Sequence, residues 1–288
     1  MITRKSVLNQ TPREAMRFSF VVSGGLGYKI EDLFHNESSF DEFEKALHSI
    51  RQQGFEGVEL NLGFDEEHEL GRIKTAVDES GLKLAAVGTG MVYAMQRLSF
   101  TDNDPEKRSK ALAIVKNLIH FASGEHAIVI IGLVRGSPSQ HDKLTDDHLR
   151  ESLKKCDRAA NENNIRIALE AINRYETSLL NSAADVAHMI EQERLTATGL
   201  LLDTFHMNIE EQSISDSIRN NAPRIVHFHI ADSDRWPPGH GHLEIATLLR
   251  VLEGSGYNGW VSAEILPKPN NSQAVTNTAE FLKAHKLM

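Results

Sequence analysis

Short apolar runs rich in Val, Ile and Leu alternate along the chain with longer stretches in which apolar positions recur at helical spacing among charged ones. Continuous apolar runs belong to strands buried on both faces, and amphipathic stretches to helices that cover them, so the alternation predicts repeated β-α units around a parallel sheet. Eight units can be drawn, with strands at 18–22, 57–61, 82–88, 127–134, 166–170, 199–203, 225–230 and 260–264. The helices between and after them fall at 41–53, 66–80, 105–122, 146–162, 183–193, 214–221, 245–253 and 276–285. Asp104 before Pro105, and Thr145 ahead of two aspartates, supply helix-start chemistry. No Gly/Ser/Pro linker interrupts the pattern, which predicts an α/β fold, a (β/α)8 TIM barrel, as one domain over 1–288.

The irregular stretches 23–40, 99–104, 137–144 and 232–242 all follow strands. That places them on the carboxyl face, where barrels of this class carry their chemistry. Glu170 closes RIALE, Asp203 closes GLLLD, His229 stands near the end of IVHFHI and Glu264 closes WVSAE. They come from the fifth to eighth predicted strands and converge on one side of the mouth of a closed barrel. One such residue alone is as often a helix cap or a loop ion pair. Three carboxylates together repel one another unless a cation neutralises them, so the four predict a mononuclear metal site. The oxygen-rich donor set suits Mn2+ best, Mg2+ or Co2+ also, and Zn2+ less for want of thiolates.

Arg135, directly after the apolar run AIVIIGLV and before Gly136, is placed to clamp a substrate carboxylate or phosphate; a neighbouring loop acid is the alternative partner. Tyr93 and Trp236 are candidate walls of the pocket, and Asp232 is a candidate extra ligand near His229 or, as the preferred reading, an outer support for the site. His240 and His242 sit in a Gly/Pro loop and are read as turn residues rather than as a second metal site.

Composition narrows the partners. A formal net charge of -9 disfavours nucleic acid and anionic membranes. The single cysteine, Cys156, shares a helical face with Leu149 and Leu153 and reads as a buried thiol. The first residues lack the apolar run of a signal peptide, and the apolar stretches are too short to span a bilayer, so a cytoplasmic protein is expected.

The segments LEAINRYE, LDTFHMNIEE, HFHIADSDRWPPGHG and the terminal AE of WVSAE resemble the xylose isomerase-like barrel superfamily, in particular its ketose 3-epimerase branch. The resemblance runs through the carboxyl-terminal half. In the first half, VGTG and VIIGLVRG are more similar to members acting on keto-sugar acids. It implies that Glu170, Asp203, His229 and Glu264 hold the metal, that Glu170 and Glu264 are also the catalytic acid/base pair, and that Glu176, His206 and Arg235 hold the substrate. Tyr175 stands where the family usually has phenylalanine. The implied reaction inverts the carbon beside the carbonyl of a ketose or keto-sugar acid through a metal-bound enediolate, with one glutamate protonated while the other is ionised. It also implies a homo-oligomer, a dimer or tetramer. Aldose/ketose isomerisation on the same residues remains the alternative, although no lysine closes a strand. A metal-dependent abasic-site endonuclease would need more strand-end histidines and a basic groove, and a sugar-binding module would need no opposed acids.

Overall fold

A computed structural model describes residues 15–30, 37–137 and 142–288. The amino-terminal segment 1–14, and parts of two mouth loops named above, 31–36 and 138–141, lie outside the described residues.

The strands are β1 (Arg17–Ser23), β2 (Tyr28–Lys29), β3 (Gly57–Asn61), β4 (Lys83–Gly88), β5 (Ile128–Ile131), β6 (Ile167–Glu170), β7 (Thr198–Asp203), β8 (Ile225–Ile230) and β9 (Trp260–Ala263). All pair in parallel. β2 is a two-residue addition beside β1, and the other eight run in chain order until β9 pairs back onto β1, which closes the barrel. The helices α1 (Glu37–Gln52), α2 (Glu67–Ser80), α4 (Pro105–Ser123), α5 (Lys143–Glu162), α6 (Ala183–Gln192), α8 (Ile214–Asn221), α9 (Ile245–Gly254) and α10 (Asn271–Ala284) match the eight expected ones. Two short helices at strand ends, α3 (Gly90–Gln96) and α7 (Thr204–Glu210), were not legible in the periodicity, because seven residues give it too little length.

Asp104 does accept a hydrogen bond from the Glu106 amide at 2.8 Å ahead of Pro105. At α5 the cap is Asp142, which accepts from the Thr145 amide and hydroxyl at 2.9 Å each, so Thr145 lies inside the helix it was expected to start. The expected strand 127–134 is cut short after Ile131, where Leu133–Arg135 form a 3-10 turn.

Residues pointing outward from the strands, such as Phe18, Phe20, Val58, Leu60, Leu200 and Leu202, join the main hydrophobic core under the helices. The barrel interior is divided. On β4 to β7 it is filled by Ala86, Ile130, Ala168 and Leu201. On β1, β3, β8 and β9 the corresponding inward positions are Ser19, Glu59, His227 and Ser262, all fully buried. One half of the interior is therefore held by hydrogen bonds, and these lead up to the carboxyl-terminal mouth.

The opposite end of the barrel is pinned by Asp157 on α5. Its carboxylate accepts from the Ala197 amide at 2.9 Å, the Thr196 amide at 3.1 Å and the Thr198 hydroxyl at 2.7 Å, tying α5 to the start of β7. Hydrogen bonds to a charged acceptor contribute about 1.5–3 kcal/mol each, and orphaning their buried donors costs more than losing the attraction alone. Asp157→Ala is expected to destabilise the protein by about 3 kcal/mol in urea unfolding while leaving the mouth intact; a change within about 0.5 kcal/mol would refute this role.

Candidate metal centre and active site

Glu170 ends β6, Asp203 ends β7, His229 lies inside β8 and Glu264 follows β9, so successive strands deliver all four to one arc of the mouth. One donor atom from each lies within 4.8 Å of the others, and all four side chains are buried. Asp203 uses one carboxylate oxygen to cap α7, accepting from the Phe205 amide at 2.8 Å. Its other oxygen, Oδ2, is buried without a hydrogen-bond partner, and so is Nδ1 of His229. Two unpartnered buried polar atoms, with the oxygens of Glu170 and Glu264 beside them, make a donor set of the kind a hard divalent cation satisfies.

His229 Nδ1 stands 3.6 Å from Glu264 Oε2 and 3.9 Å from Glu170 Oε1. Its other nitrogen, Nε2, lies 3.1 Å from Oε2 of Glu59, a residue that sequence reasoning passed over. The signal for Glu59 was its place as the lone charge within the apolar strand GVELN, and for His227 its i−2 relation to His229, which puts both on one face of β8.

The electrostatics of the two glutamates diverge. Burial and the Glu264 charge push Glu170 up to about 8. Burial also works against ionised Glu264, but His229 and Arg235 outweigh it and hold Glu264 down at about 2. Arg235 Nη2 donates to Glu264 Oε2 at 2.8 Å, and Asn61 reaches the other oxygen at 3.4 Å. Asp203 is raised to about 6 by burial, against the pull of Arg235 and His229. Burial and the Arg235 charge depress His206 to about 3, so its ring is neutral.

Glu176, His206 and Arg235 do come together at this mouth. Arg235 Nη1 donates to Glu176 Oε1 at 3.1 Å, and Asn173 bridges that oxygen at 3.0 Å and His206 Nδ1 at 2.7 Å. Asn173 therefore makes Nδ1 of His206 an acceptor and turns its Nε2–H toward Glu170 Oε1, 3.6 Å away. Arg235 has a left-handed backbone, φ 60°, and its guanidinium lies 4.8 Å from the Phe205 ring. Asp232 keeps that loop folded. Its carboxylate accepts from the amides of Ser233, Gly239 and Leu243 at 2.8–3.0 Å, so it organises Arg235's loop instead of supporting His229 directly.

A cavity of about 140 Å³ is lined by Glu170, His229 and Glu264, with Asn61, Met91, Ala94, Leu133 and Ile172 among the other walls; Asp203 lies outside its lining. Tyr93 and Trp236 are not among its lining; Trp236 stacks on His240 at 4.1 Å, and His240 bonds Asp234 at 2.6 Å. Tyr175 is 82% exposed and faces solvent rather than the cavity. Gly132 packs directly on Glu170, since a Cβ there would stand 2.7 Å from Oε2.

Arg135 requires a correction. It is fully buried, and all three of its guanidinium nitrogens donate to backbone carbonyls: Nε to Gly132 at 3.0 Å, Nη1 to Leu179 at 3.4 Å, and Nη2 to Ile131 at 3.5 Å and to Glu170. The 3-10 turn after β5 carries the side chain beneath the mouth, where it knits strand ends together and has no donor aimed at a substrate.

A family model described as Xylose isomerase-like TIM barrel matches residues 47–285. D-psicose 3-epimerase of Enterocloster bolteae is 26% identical over 258 residues, covering 85% of this chain and 83% of that protein. 3-Dehydro-D-guloside 4-epimerase of Escherichia coli is 27% identical over 241 residues, covering 80% and 89%. Among solved structures, D-allulose 3-epimerase from Methylomonas sp. in complex with D-allulose superimposes with a TM-score of 0.78 at 18% identity, covering 95% of this chain and 98% of that one. No helix among the described residues is long and apolar enough to cross a membrane.

Two outcomes follow from the geometry. Protons must leave Asp203, Glu170 and His229, whose imidazole, against the effect of burial, is held well above its usual range by Glu59 and Glu264, before they can take a cation. Divalent-metal affinity is therefore expected to rise with pH from about 6 upward, with proton release seen by calorimetry in buffers of differing ionisation enthalpy; pH-independent binding would contradict it. Arg135→Lys is expected to lower stability by about 2 kcal/mol in thermal unfolding, without shifting the preference between acidic and neutral substrates, because it breaks carbonyl contacts and no substrate contact.

Proposed function

We propose, since this chain belongs to the Xylose isomerase-like TIM barrel family, that it is a divalent-metal-dependent epimerase of keto-sugars, inverting a carbon beside the carbonyl. The observation that carries the reading is the cluster of Glu170, Asp203, His229 and Glu264, with two of its donor atoms buried and unpartnered. Relatives named as 3-epimerases and 4-epimerases support it. The four residues would hold one metal ion, for which we favour Mn2+ on the donor types. When bound, the ion would act as a Lewis acid that makes the proton beside the carbonyl more acidic.

The remaining work belongs to the chain. Glu170 closes β6 and Glu264 follows β9, three strands apart, and both line the cavity, so that one would remove a proton from the substrate carbon and the other return one to its opposite face. Arg235 holds Glu264 as a carboxylate and, with neutral His206, offers hydrogen-bond donors to the substrate oxygens. Glu176 is held by Asn173 and Arg235 with acceptor capacity left for a sugar hydroxyl. The cavity wall of Met91, Ala94, Leu133 and Ile172 limits water near the carbon being inverted.

Uncharged keto-sugars fit this environment better than acids or phosphates. The charge of Arg235 is already balanced by two glutamates, although its remaining donors can still meet a neutral oxygen, and Arg135 faces backbone carbonyls. Aldose/ketose isomerisation has less support, since among the described residues no lysine lines the cavity. We place the enzyme in the cytoplasm as a homo-oligomer, in keeping with the sequence-based expectation.

The decisive experiment is proton exchange from heavy water, followed by NMR, with a panel of ketoses, keto-glycosides and keto-sugar acids, with Mn2+ and after chelation. Metal-dependent deuterium incorporation beside the carbonyl with inverted product is expected. Glu264→Gln is expected to reduce turnover by about a thousandfold with the fold retained. Near-normal turnover in that variant would sink the two-glutamate mechanism.

A further inference from the structure

The barrel interior beneath the metal centre holds a polar cluster that the chemistry above does not use. Oε2 of Glu59 lies 2.8 Å from Nε2 of His227 and 3.1 Å from Nε2 of His229, and the three side chains are buried to within 1%. Ser262 Oγ is 3.1 Å from His227 Nε2 and 2.7 Å from Ser19 Oγ, which extends the chain of contacts across β8, β9 and β1. A carboxylate only accepts hydrogen bonds. Both imidazoles must therefore carry a hydrogen on Nε2 to meet it. A neutral His229 protonated there presents a bare lone pair on Nδ1, the atom that faces Glu170 and Glu264 and has no partner.

We propose that Glu59 is a positioning residue for the metal centre: it fixes the tautomer and ring orientation of His229 so that Nδ1 is the ligating atom, and His227 holds the carboxylate in place by donating to the same Glu59 oxygen. This rests on the proposed metal centre. A carboxylate behind a ligating imidazole raises the basicity of the ligand and removes its rotational freedom, and loss of such partners costs about 10–100-fold in metal affinity. Among the described residues, these two imidazoles are the hydrogen-bond partners of the Glu59 carboxylate.

The same three residues also have the composition of a small cation site. We argue against that use, because both Nε2 atoms point at one oxygen that already receives their hydrogens.

The test begins with the wild-type full-length chain, labelled with 15N and loaded with 113Cd2+. Long-range proton–nitrogen spectra are expected to show cadmium coupling at Nδ1 of His229 and a proton on its Nε2; coupling at Nε2 overturns the proposal. In Mn2+ titrations by calorimetry, Glu59→Leu is expected to bind about 10–100-fold more weakly, and Glu59→Gln to recover most of that loss, because the amide oxygen still accepts from Nε2. Unchanged affinity in Glu59→Leu overturns the proposal, as does a second wild-type equivalent of metal that vanishes in that variant. Should Glu59→Leu fail to fold, the cadmium coupling decides. A wild-type chain that binds neither metal rejects the metal centre itself, an outcome distinct from any of these.

Discussion

Negative charge is crowded at the barrel mouth beyond what its own attractions can hold. Glu170, Asp203 and Glu264 are buried with oxygens inside one 4.8 Å cluster, and Glu59 lies just beneath them. Like charges at such spacing in a low-dielectric interior are costly, and the surrounding structure reads as a series of answers to that cost. Arg235 is drawn over Glu264 and Glu176 from a loop in left-handed conformation. His229 is shared between Glu59 below and the mouth above. Asp203 gives one oxygen to the end of α7. Glu170 takes the remaining imbalance as a proton, which a divalent ion would displace.

The fold makes this crowding affordable by splitting the barrel interior. Small and branched apolar residues fill the side of β4 to β7, whereas Ser19, Glu59, His227 and Ser262 occupy the side that leads to His229 and Glu264. The polar side has its hydrogen bonds set before any substrate arrives. The stability that it forgoes is recovered outside the strands, where the large side chains pack under the helices, and at the far end, where Asp157 fastens α5 to β7.

Much of this was legible in the chain. Buried parallel strands write themselves as apolar runs, and a polar residue ending such a run at GLLLD or WVSAE has few places to go except the mouth, so the four clustered residues were recognised from position alone. Glu59 and His227 were missed for the complementary reason. A charge in the middle of a strand can face a helix layer or the interior, and only the closed barrel, which brings β3 and β8 together across its interior, reveals that it meets a partner 168 positions away. Arg135 was misread because its direction depends on a three-residue turn that breaks the strand just before it, and periodicity does not resolve a turn of that length. The cap of α5 was displaced for a related reason: Thr145 carries cap chemistry but spends its hydroxyl on Asp142.

Gly132 sets a limit on how this catalytic cavity can change over generations or in the hands of an engineer. With Glu170 resting against its bare α-carbon, a side chain on that stretch of wall would displace the Glu170 carboxylate. Remodelling is channelled to other stretches of the wall, such as Met91 and Ala94 on α3. New substrate scope would accordingly arise from one flank of the pocket, with the chemistry inherited unaltered on the other.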